Sequence, residues 1–559
     1  MIERMFDSTL PDPTELQSVG DVALVEAIEG YTQAAAASEG RRLAAIAELA
    51  HRRAAAADPA RDRWVCDVDD SVAAEISAAM NISHGRALGQ LALARLLDER
   101  LPRINALLLA GQIPLSLVTL LRWRTLLVED HTVIAAVDAA LADAAIGWGP
   151  LSQEKVQKKV DALIECHDPD AVRRLQEAVR KREIVIGDWQ DAIGTSSIHG
   201  RMLATDAAAL KKRIAEMARG VCTDDPRTLE QRGADALGAL AAGSQHLACL
   251  CDNPDCPATT DDGRASNTVI HILGDASVFD AEPDPAMHGD GTNSTAQASQ
   301  PETEPSPSAE PAPAPAASSA PARRPSAGVI LGASIVPAAL LAELIRLGAK
   351  VQYVRAPSPE PEHHYAPSAK LAEYIRMRDM TCRHPGCDRP ADRTDIDHTV
   401  PWPSGATHPS DLKCYCRIHH LIKTHWAGDG GWSDRQLPDG SVEVTTPAGK
   451  TYTTKPGVSL LFPAWNITTT EAPPTGRPPP RPDQTGCAVP KRKRTRAQDH
   501  AYRIKAERER NAALIADAKA RATKTKAQLA QRRAAAARNE PHNWETTTPT
   551  RDDGDPPPF

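Results

Sequence analysis

The residues richest in chemistry lie between Cys382 and His425. Cys382-Arg-His-Pro-Gly-Cys387 sets two thiols across a Pro-Gly turn, and Cys416-Arg-Ile-His419-His420 adds a third thiol with an imidazole three positions on. Two short-spaced pairs of soft or borderline donors are what a tetrahedral structural zinc needs, at about 2.0–2.3 Å from each ligand. Cys414 competes for the third thiol, because two residues before Cys416 it would share a strand face with it; Cys416 is preferred for its partner His419. The bland alternative is a set of buried free cysteines.

Four polar residues are left beside these knuckles: Asp397, His398, Asp411 and His420. A carboxylate next to a histidine, with a second histidine downstream, can build a divalent-cation site beside a general base. Cleaving a phosphodiester needs an activated water, neutralised charge on the phosphorane-like state and a stabilised leaving group. A histidine titrating near neutrality supplies the first and a bound cation the others. Asp397 also reads as a carboxylate that merely orients a zinc-binding histidine. Lys423 and His425 follow on the same stretch. A lysine there is ordinarily solvated surface, yet it can touch a DNA phosphate; His425, five residues past His420, has imperfect spacing for a further ligand.

These side chains need a frame. A helix over Ala369–Arg378 leads into the Cys/His block, and Gly430-Gly-Trp432 with two strand-like runs, Ser441–Thr446 and Lys450–Thr454, closes it. Upstream, residues from about Leu16 to Arg180 read as successive helices: Leu43, Ile46, Ala47 and Ala50 recur at helical spacing, as do Leu88, Leu91, Ala92, Ala94 and Leu96. Breaks fall at Asp58-Pro59, Gly111-Gln112, Gly147-Trp148-Gly149-Pro150 and Asp168-Pro169. Glu183–Gly187 and Thr268–Leu273 have the β-branched look of strands, while Ala207–Ala218, Asp235–Leu247 and Pro337–Leu347 read as helices. Ten prolines fall in the 44 residues from Glu282 to Pro325, which hold almost no aliphatic side chain. Such a segment buries too little apolar surface to offset the entropy of ordering, so a disordered spacer is expected.

Composition narrows the function classes. A chain of 559 residues with 41% hydrophobic and 25% charged residues is a soluble multidomain protein by expectation. The most apolar stretch, Ile104–Leu121, is interrupted by Asn105, Gln112, Pro114 and Ser116. It falls short of the roughly 20 predominantly apolar residues of a membrane span, so it is read as buried helix and no membrane is expected. Met1-Ile-Glu-Arg-Met5 does not open a secretory leader, and the eleven cysteines point to reduced thiols and metal ligands in a cytoplasmic protein. The net charge of −8 excludes a uniformly basic nucleic-acid binder, but Lys491–Arg538 holds 16 Lys/Arg against 4 Asp/Glu. Lys491-Arg492-Lys493-Arg494 reads as an electrostatic tether, and the Ala/Arg/Lys-rich tail suits a helix lying along DNA, with salt-sensitive affinity. The alternative is a merely soluble charged tail. A further set, Cys249-x-Cys251-x4-Cys256, offers three thiols to a second zinc. Cys222, His271, another chain of a homodimer or a ligand from elsewhere could complete it; reduced, partly buried cysteines are the alternative.

The order Cys-x4-Cys, Asp397-His-Thr-Val-Pro-Trp402, Asp411-Leu412, Cys-x2-His-His and Gly-Gly-Trp resembles the zinc-supported HNH nuclease module. More closely, the chain is similar to the actinobacterial 13E12 repeat proteins, which join an N-terminal domain of unknown function (number 222) to a C-terminal HNH domain. The N-terminal likeness rests on Asp224-Asp-Pro-Arg227, Arg232-Gly-Ala-Asp-Ala-Leu237, and Cys249-Leu-Cys251 with Cys256. The resemblance spans about residues 16–455 apart from the Pro-rich spacer. It implies a ββα-metal finger with His398 as general base, Asp397 and His420 on a catalytic Mg²⁺, Mn²⁺ or Zn²⁺, and Cys382, Cys387, Cys416 and His419 on a structural zinc. Asp411 stands where the family has asparagine. It lacks the amide donor that would brace the His398 loop, and its charge is expected to raise the pKa of His398. The expected organisation is a mainly helical region with a small α+β part over 16–280, continued by 327–356; a disordered linker over 281–326; the HNH module over 366–465; and a disordered, basic helical tail over 466–559. DNA is the expected partner and no small-molecule cofactor is expected.

Overall fold

The computed structural model describes residues 10–149, 151–172, 183–187, 191, 194–264, 272–274, 281–282, 284, 287–289, 328–330, 335–470 and 489–539. The expected spacer lies almost wholly outside them, as do His271 and most of the run Thr268–Leu273, of which Ile272–Leu273 is a strand. The chain divides into two compact units that interleave along the sequence: 1–37 with 99–174 and 496–559, and 38–98 with 175–495.

Seven helices come first: α1 (Asp21–Ala56), α2 (Val68–Met80), α3 (His84–Arg95), α4 (Pro102–Leu109), α5 (Leu115–Arg124), α6 (His131–Ala145) and α7 (Gln153–His167). Leu43, Ile46, Ala47 and Ala50 are buried along one face of α1, which ends just before Asp58-Pro59. Ile104–Leu121 is two short helices rather than one. Gly111 stands between them at φ +74°, and a Cβ there would meet the Gln33 carbonyl at 2.4 Å; Pro114 then caps α5. The run His131–Trp148 is apolar and long enough to cross a membrane by composition. In the fold it buries Ile134, Val137 and Leu141, and its Asp138 carboxylate accepts the Arg103 and Ile104 amides at the start of α4 (2.9 and 3.2 Å).

In the other unit, a hairpin of β1 (Glu183–Ile186) and β2 (Ile198–Arg201) precedes α8 (Ala204–Arg219) and α9 (Leu229–Ala241). The helix expected over Asp235–Leu247 therefore starts six residues earlier and ends six earlier. Thr228 and Gln231 form a reciprocal capping box, and Gly243 at φ +85° closes the end. A small antiparallel sheet follows, β3 (Ile272–Leu273), β4 (Gly328–Ile330) and β5 (Ile335–Val336), with α10 (Ala338–Arg346) after it.

The Cys/His block is framed by α11 (Ala369–Asp379), a β6 (Thr394–His398) and β7 (Leu412–Cys416) antiparallel pair, and α12 (Arg417–His425). A meander of β8 (Ser433–Gln436), β9 (Val442–Thr445) and β10 (Thr451–Thr454) and the short α13 (Gly457–Leu461) complete it. One face of α12 buries Leu421 and Ile422 with Trp432, Val442 and Val444, against Cys66 and Ala74. Trp432 Nε1 donates to Ser71 Oγ (3.0 Å) and Trp426 Nε1 to the Cys66 carbonyl (2.9 Å). The last helix, α14 (Arg496–Asn539), has its first turns fixed by Arg508 on Asp168 (2.7 Å) and Asn511 on the Asp170 and Val172 carbonyls.

Candidate metal centre and polar pocket

Pairing β6 with β7 sets Thr394 opposite Cys416 and His398 opposite Leu412, so the strand that ends on a thiol lies beside the strand that ends on the Asp-His pair. Cys416 is also the N-cap of α12, which brings His419 and His420 round its first turn. Ligand atoms of Cys382, Cys387, Cys416 and His419 lie within 4.8 Å of one another. The His419 Nδ1 is 3.5 Å from Cys382 Sγ and 3.3 Å from Cys416 Sγ. Hydrogen bonds from Cys382 and Cys387 hold the Cys416 thiol far below its ordinary pKa, while burial, followed by those same contacts, pushes Cys382 well up. The group can hold a metal such as zinc. His384 stacks on His419 at 3.8 Å between ring centroids, backing the ligand ring.

Cys414 is outside this group. Its buried Sγ points to the Ile375 carbonyl (3.9 Å), and burial raises its pKa to about 12. His425 also lies apart, its ring edge-on to Trp64.

A second constellation sits on the same hairpin and helix. Asp397 Oδ2 receives two ammonium groups, Lys413 at 2.9 Å and Lys423 at 2.8 Å, and Lys413 also pairs with Asp434 (3.0 Å). Burial alone would raise the pKa of Asp397; the two lysines reverse that and hold it at about 2. Lys423 is therefore not solvated surface. Its Nζ also donates to the His398 carbonyl, and burial, then Lys413, lowers its pKa. The other oxygen of Asp397, Oδ1, lies 3.4 Å from His420 Nε2. The Nδ1 of His420 is 2.9 Å from Asp395 Oδ2, an acceptor, so the proton belongs on Nδ1 and Nε2 presents a lone pair. Two acceptors facing each other are reconciled by a cation between them or by a second proton on His420.

His398 is buried and its ring is placed by two neighbours. Tyr365 stacks on its ring at 5.5 Å. Thr407 Oγ1 lies 3.0 Å from Nε2 and donates its own proton to the His364 carbonyl (2.5 Å). The hydroxyl must therefore accept from Nε2–H, which leaves Nδ1 as the basic nitrogen. Burial, with Lys423 and Lys413, lowers the pKa of His398 to about 4. This overturns the expected rise from Asp411, whose own carboxyl is pushed by burial up to about 7. Asp411 does brace the loop after His398, through a different bond: its Oδ1 accepts the Val400 amide (2.9 Å), and its backbone carbonyl accepts from Thr399 (2.7 Å). An acceptor is what this loop uses, and Asp supplies one as Asn would.

The loop is tied from behind by α11. Arg378, fully buried, donates to the Pro409 and Leu412 carbonyls (2.7 Å each) and to Asp379 (2.8 Å). Asp379 accepts the Cys414 amide (2.8 Å). None of these clamp residues, nor Tyr365, Thr407, Lys413 and Asp434, stood out in the sequence reading.

Among the basic residues expected to touch nucleic acid, Arg492 is committed elsewhere. It bonds to Asp67, to Asp70 (3.3 Å) and to the Val65 carbonyl (2.7 Å). Lys491, Lys493 and Arg494 are exposed. From Ala512 to Ala535, α14 is almost wholly exposed and basic.

A family model described as Domain of unknown function (DUF222) matches residues 31–298. Uncharacterized protein Rv2100 of Mycobacterium tuberculosis (strain ATCC 25618 / H37Rv) is 51% identical over 519 residues, 92% of this chain and 92% of its own length. Uncharacterized protein Rv3776 of the same strain is 48% identical over 506 residues, covering 90% of this chain and 93% of its own length. No solved structure matches the chain.

Proposed function

The chain belongs to the DUF222 family, alongside mycobacterial proteins that align over most of its length, and for its C-terminal module we propose a metal-dependent HNH-type endonuclease that hydrolyses DNA phosphodiester bonds. The observation that carries this reading is a convergence. Asp397 Oδ1 and His420 Nε2 face each other at 3.4 Å, beside a buried imidazole whose tautomer leaves Nδ1 basic. The β6–β7 pair followed by α12, gripped by a group that can hold zinc, supports a ββα-metal finger.

Asp397 and His420 would hold a divalent ion such as Mg²⁺, Mn²⁺ or Zn²⁺. When bound, it supplies charge neutralisation at the phosphate and at the departing oxygen. The protein's own groups do the rest. His398 Nδ1 takes the proton from a water as the water oxygen attacks phosphorus and the P–O bond to the departing sugar oxygen breaks, that oxygen taking a proton from solvent; Thr407 and Tyr365 keep Nδ1 aimed. Asp395 fixes the ring of His420 through Nδ1. Asp411 and the Arg378 clamp hold the loop that follows the base. Lys423, on Asp397 and the His398 carbonyl, adds positive charge next to the reacting phosphate. Lys491, Lys493, Arg494 and the exposed part of α14 serve as an electrostatic tether to DNA. The helical region is assigned target choice, partner contacts or regulation.

The test is nicking of supercoiled plasmid by the full chain with Mg²⁺, Mn²⁺ or Zn²⁺, against a chelated control. Cleavage that vanishes in His398→Ala supports the reading; cleavage that persists there removes His398 as the base. A second reading, a zinc-stabilised DNA-binding or interaction protein that has lost catalysis, draws on one observation: both lysines occupy Asp397 Oδ2. It predicts retarded DNA without nicks under every metal.

A further inference from the structure

Four cysteines far from the pocket meet at one point. Cys222 follows α8, Cys249 and Cys251 lie on an extended stretch after α9, and Cys256 closes the turn beyond it. Their sulfurs lie within 4.8 Å of one another, with Cys222 and Cys249 at 3.3 Å. Four thiolates at about 2.3 Å from one ion form a tetrahedron with edges of about 3.8 Å, so this group is within a side-chain adjustment of a coordination shell. The chain supplies the fourth thiol itself.

The loops carrying these thiols are held independently of any ion. Asp225, with no exposed side-chain surface, accepts the Leu250 amide (3.0 Å) and pairs with Arg227 (2.7 Å). Arg227 reaches on to the Ala248 carbonyl (2.7 Å) and to Asp235 on α9 (2.6 Å). One buried pair thus fastens the segment after Cys222 to the segment bearing Cys249. Cys249 donates its amide to Ala258 (2.7 Å), and Cys256 donates to Asn253 (3.1 Å) in a turn closed by the Asn253 side chain. Cys249 and Cys256 are buried, while Cys222 and Cys251 are half-buried, leaving a path for entry.

The surrounding core explains why a staple is needed. The buried cluster under α8 and α9 is Met217, Val221, Ala236, Ala239 and Leu247, with Cys249 and Cys256 as its other two members. Few large side chains are present, and so thin a core is one that a disulfide or a metal ordinarily reinforces. We propose that Cys222, Cys249, Cys251 and Cys256 bind a structural Zn²⁺ that closes the α8–α9 unit, separate from the zinc group of the nuclease module.

Metal analysis of the full chain tests this. The expected result is at least two zinc ions per chain, with one lost in Cys222→Ser and one lost in Cys387→Ser. Native-state alkylation should spare the four thiols until a chelator is added. One zinc per chain in the wild type, unchanged by Cys222→Ser, overturns the proposal, as does a Cys222–Cys249 disulfide found by mass spectrometry, or iron in place of zinc. If Cys222→Ser fails to fold, the wild-type stoichiometry and alkylation pattern decide alone. Because neither readout is cleavage, the result is independent of whether the module is a nuclease.

Discussion

Each of the two cysteine groups is stitched in place by a buried arginine–aspartate pair. Asp379 holds the Cys414 amide and pairs with Arg378 and Arg383; Asp225 holds the Leu250 amide and pairs with Arg227. What differs is the neighbourhood. Beside Cys416 and His419 lie His398, Asp397, His420, Lys413 and Lys423, a dense set of ionisable groups shielded from water. Beside the four cysteines of the α8–α9 unit lie mainly Ala, Val, Leu and Met. A cysteine group that could hold a metal is common to both regions, and the proposed reactivity is placed in the one that also gathers histidines and two lysines around an aspartate.

The comparison breaks most visibly in cleavage. His398→Ala is expected to lower plasmid nicking by about 10²–10⁴-fold, while Cys222→Ser leaves nicking by the folded protein unchanged. Equal losses in both would erase the distinction.

The stitching pairs should be alike in stability. Asp379→Asn and Asp225→Asn each leave a buried arginine short of its carboxylate, at a cost of about 3–5 kcal/mol in urea denaturation; a loss in only one of them would break the parallel. Both aspartates titrate below their ordinary 3.8 in the fold. Their contribution is therefore present above the unfolded value and is lost as pH falls through the folded one, and the acid limb of the stability curve should flatten in either variant.

A sharper test is pH. With His398 at about 4, its basic form is already present at pH 5. The nicking rate should hold from neutrality down to about pH 5 and fall as pH approaches 4. A midpoint near 6.5 would mean the imidazole is solvated rather than buried among lysines.

The smallest expected effect is Thr407→Val, which removes the acceptor of the Nε2 proton. It should cost about 10-fold in the nicking rate, the worth of roughly one buried hydrogen bond, with Thr407→Ser restoring it and DNA affinity unmoved.

Sequence spacing carried the local geometry well. The Cys-x4-Cys and Cys-x2-His pairs follow from residues a few positions apart. The β6–β7–α12 order, by contrast, is expected only from the family resemblance, and the helix expected over Asp235–Leu247 misses the Thr228–Gln231 box and Gly243 that bound α9. What escaped depends on distant partners. Arg378 meets carbonyls more than thirty residues away, Tyr365 stacks across a similar gap on His398, and Arg492 closes on Asp67 from the far end of the chain. Lys413 gave no signal because all five residues of β7 are buried, so the strand lacks the alternation that would mark a side facing acid groups. The direction of the His398 shift was missed for the same reason: burial and two ammonium groups outweigh one neighbouring carboxylate.

The anchored start of α14 turns its remainder into a ruler. From Ala512 to Asn539 the helix runs about 42 Å at 1.5 Å per residue, comparable to about a dozen base pairs of duplex at 3.4 Å each. It carries seven basic residues against one acidic residue. Its length, uninterrupted by glycine or proline along its whole course, sets how far from the Arg508 clasp the proposed tether could reach along a phosphate backbone. Trimming it would shorten that span turn by turn rather than abolish it at once.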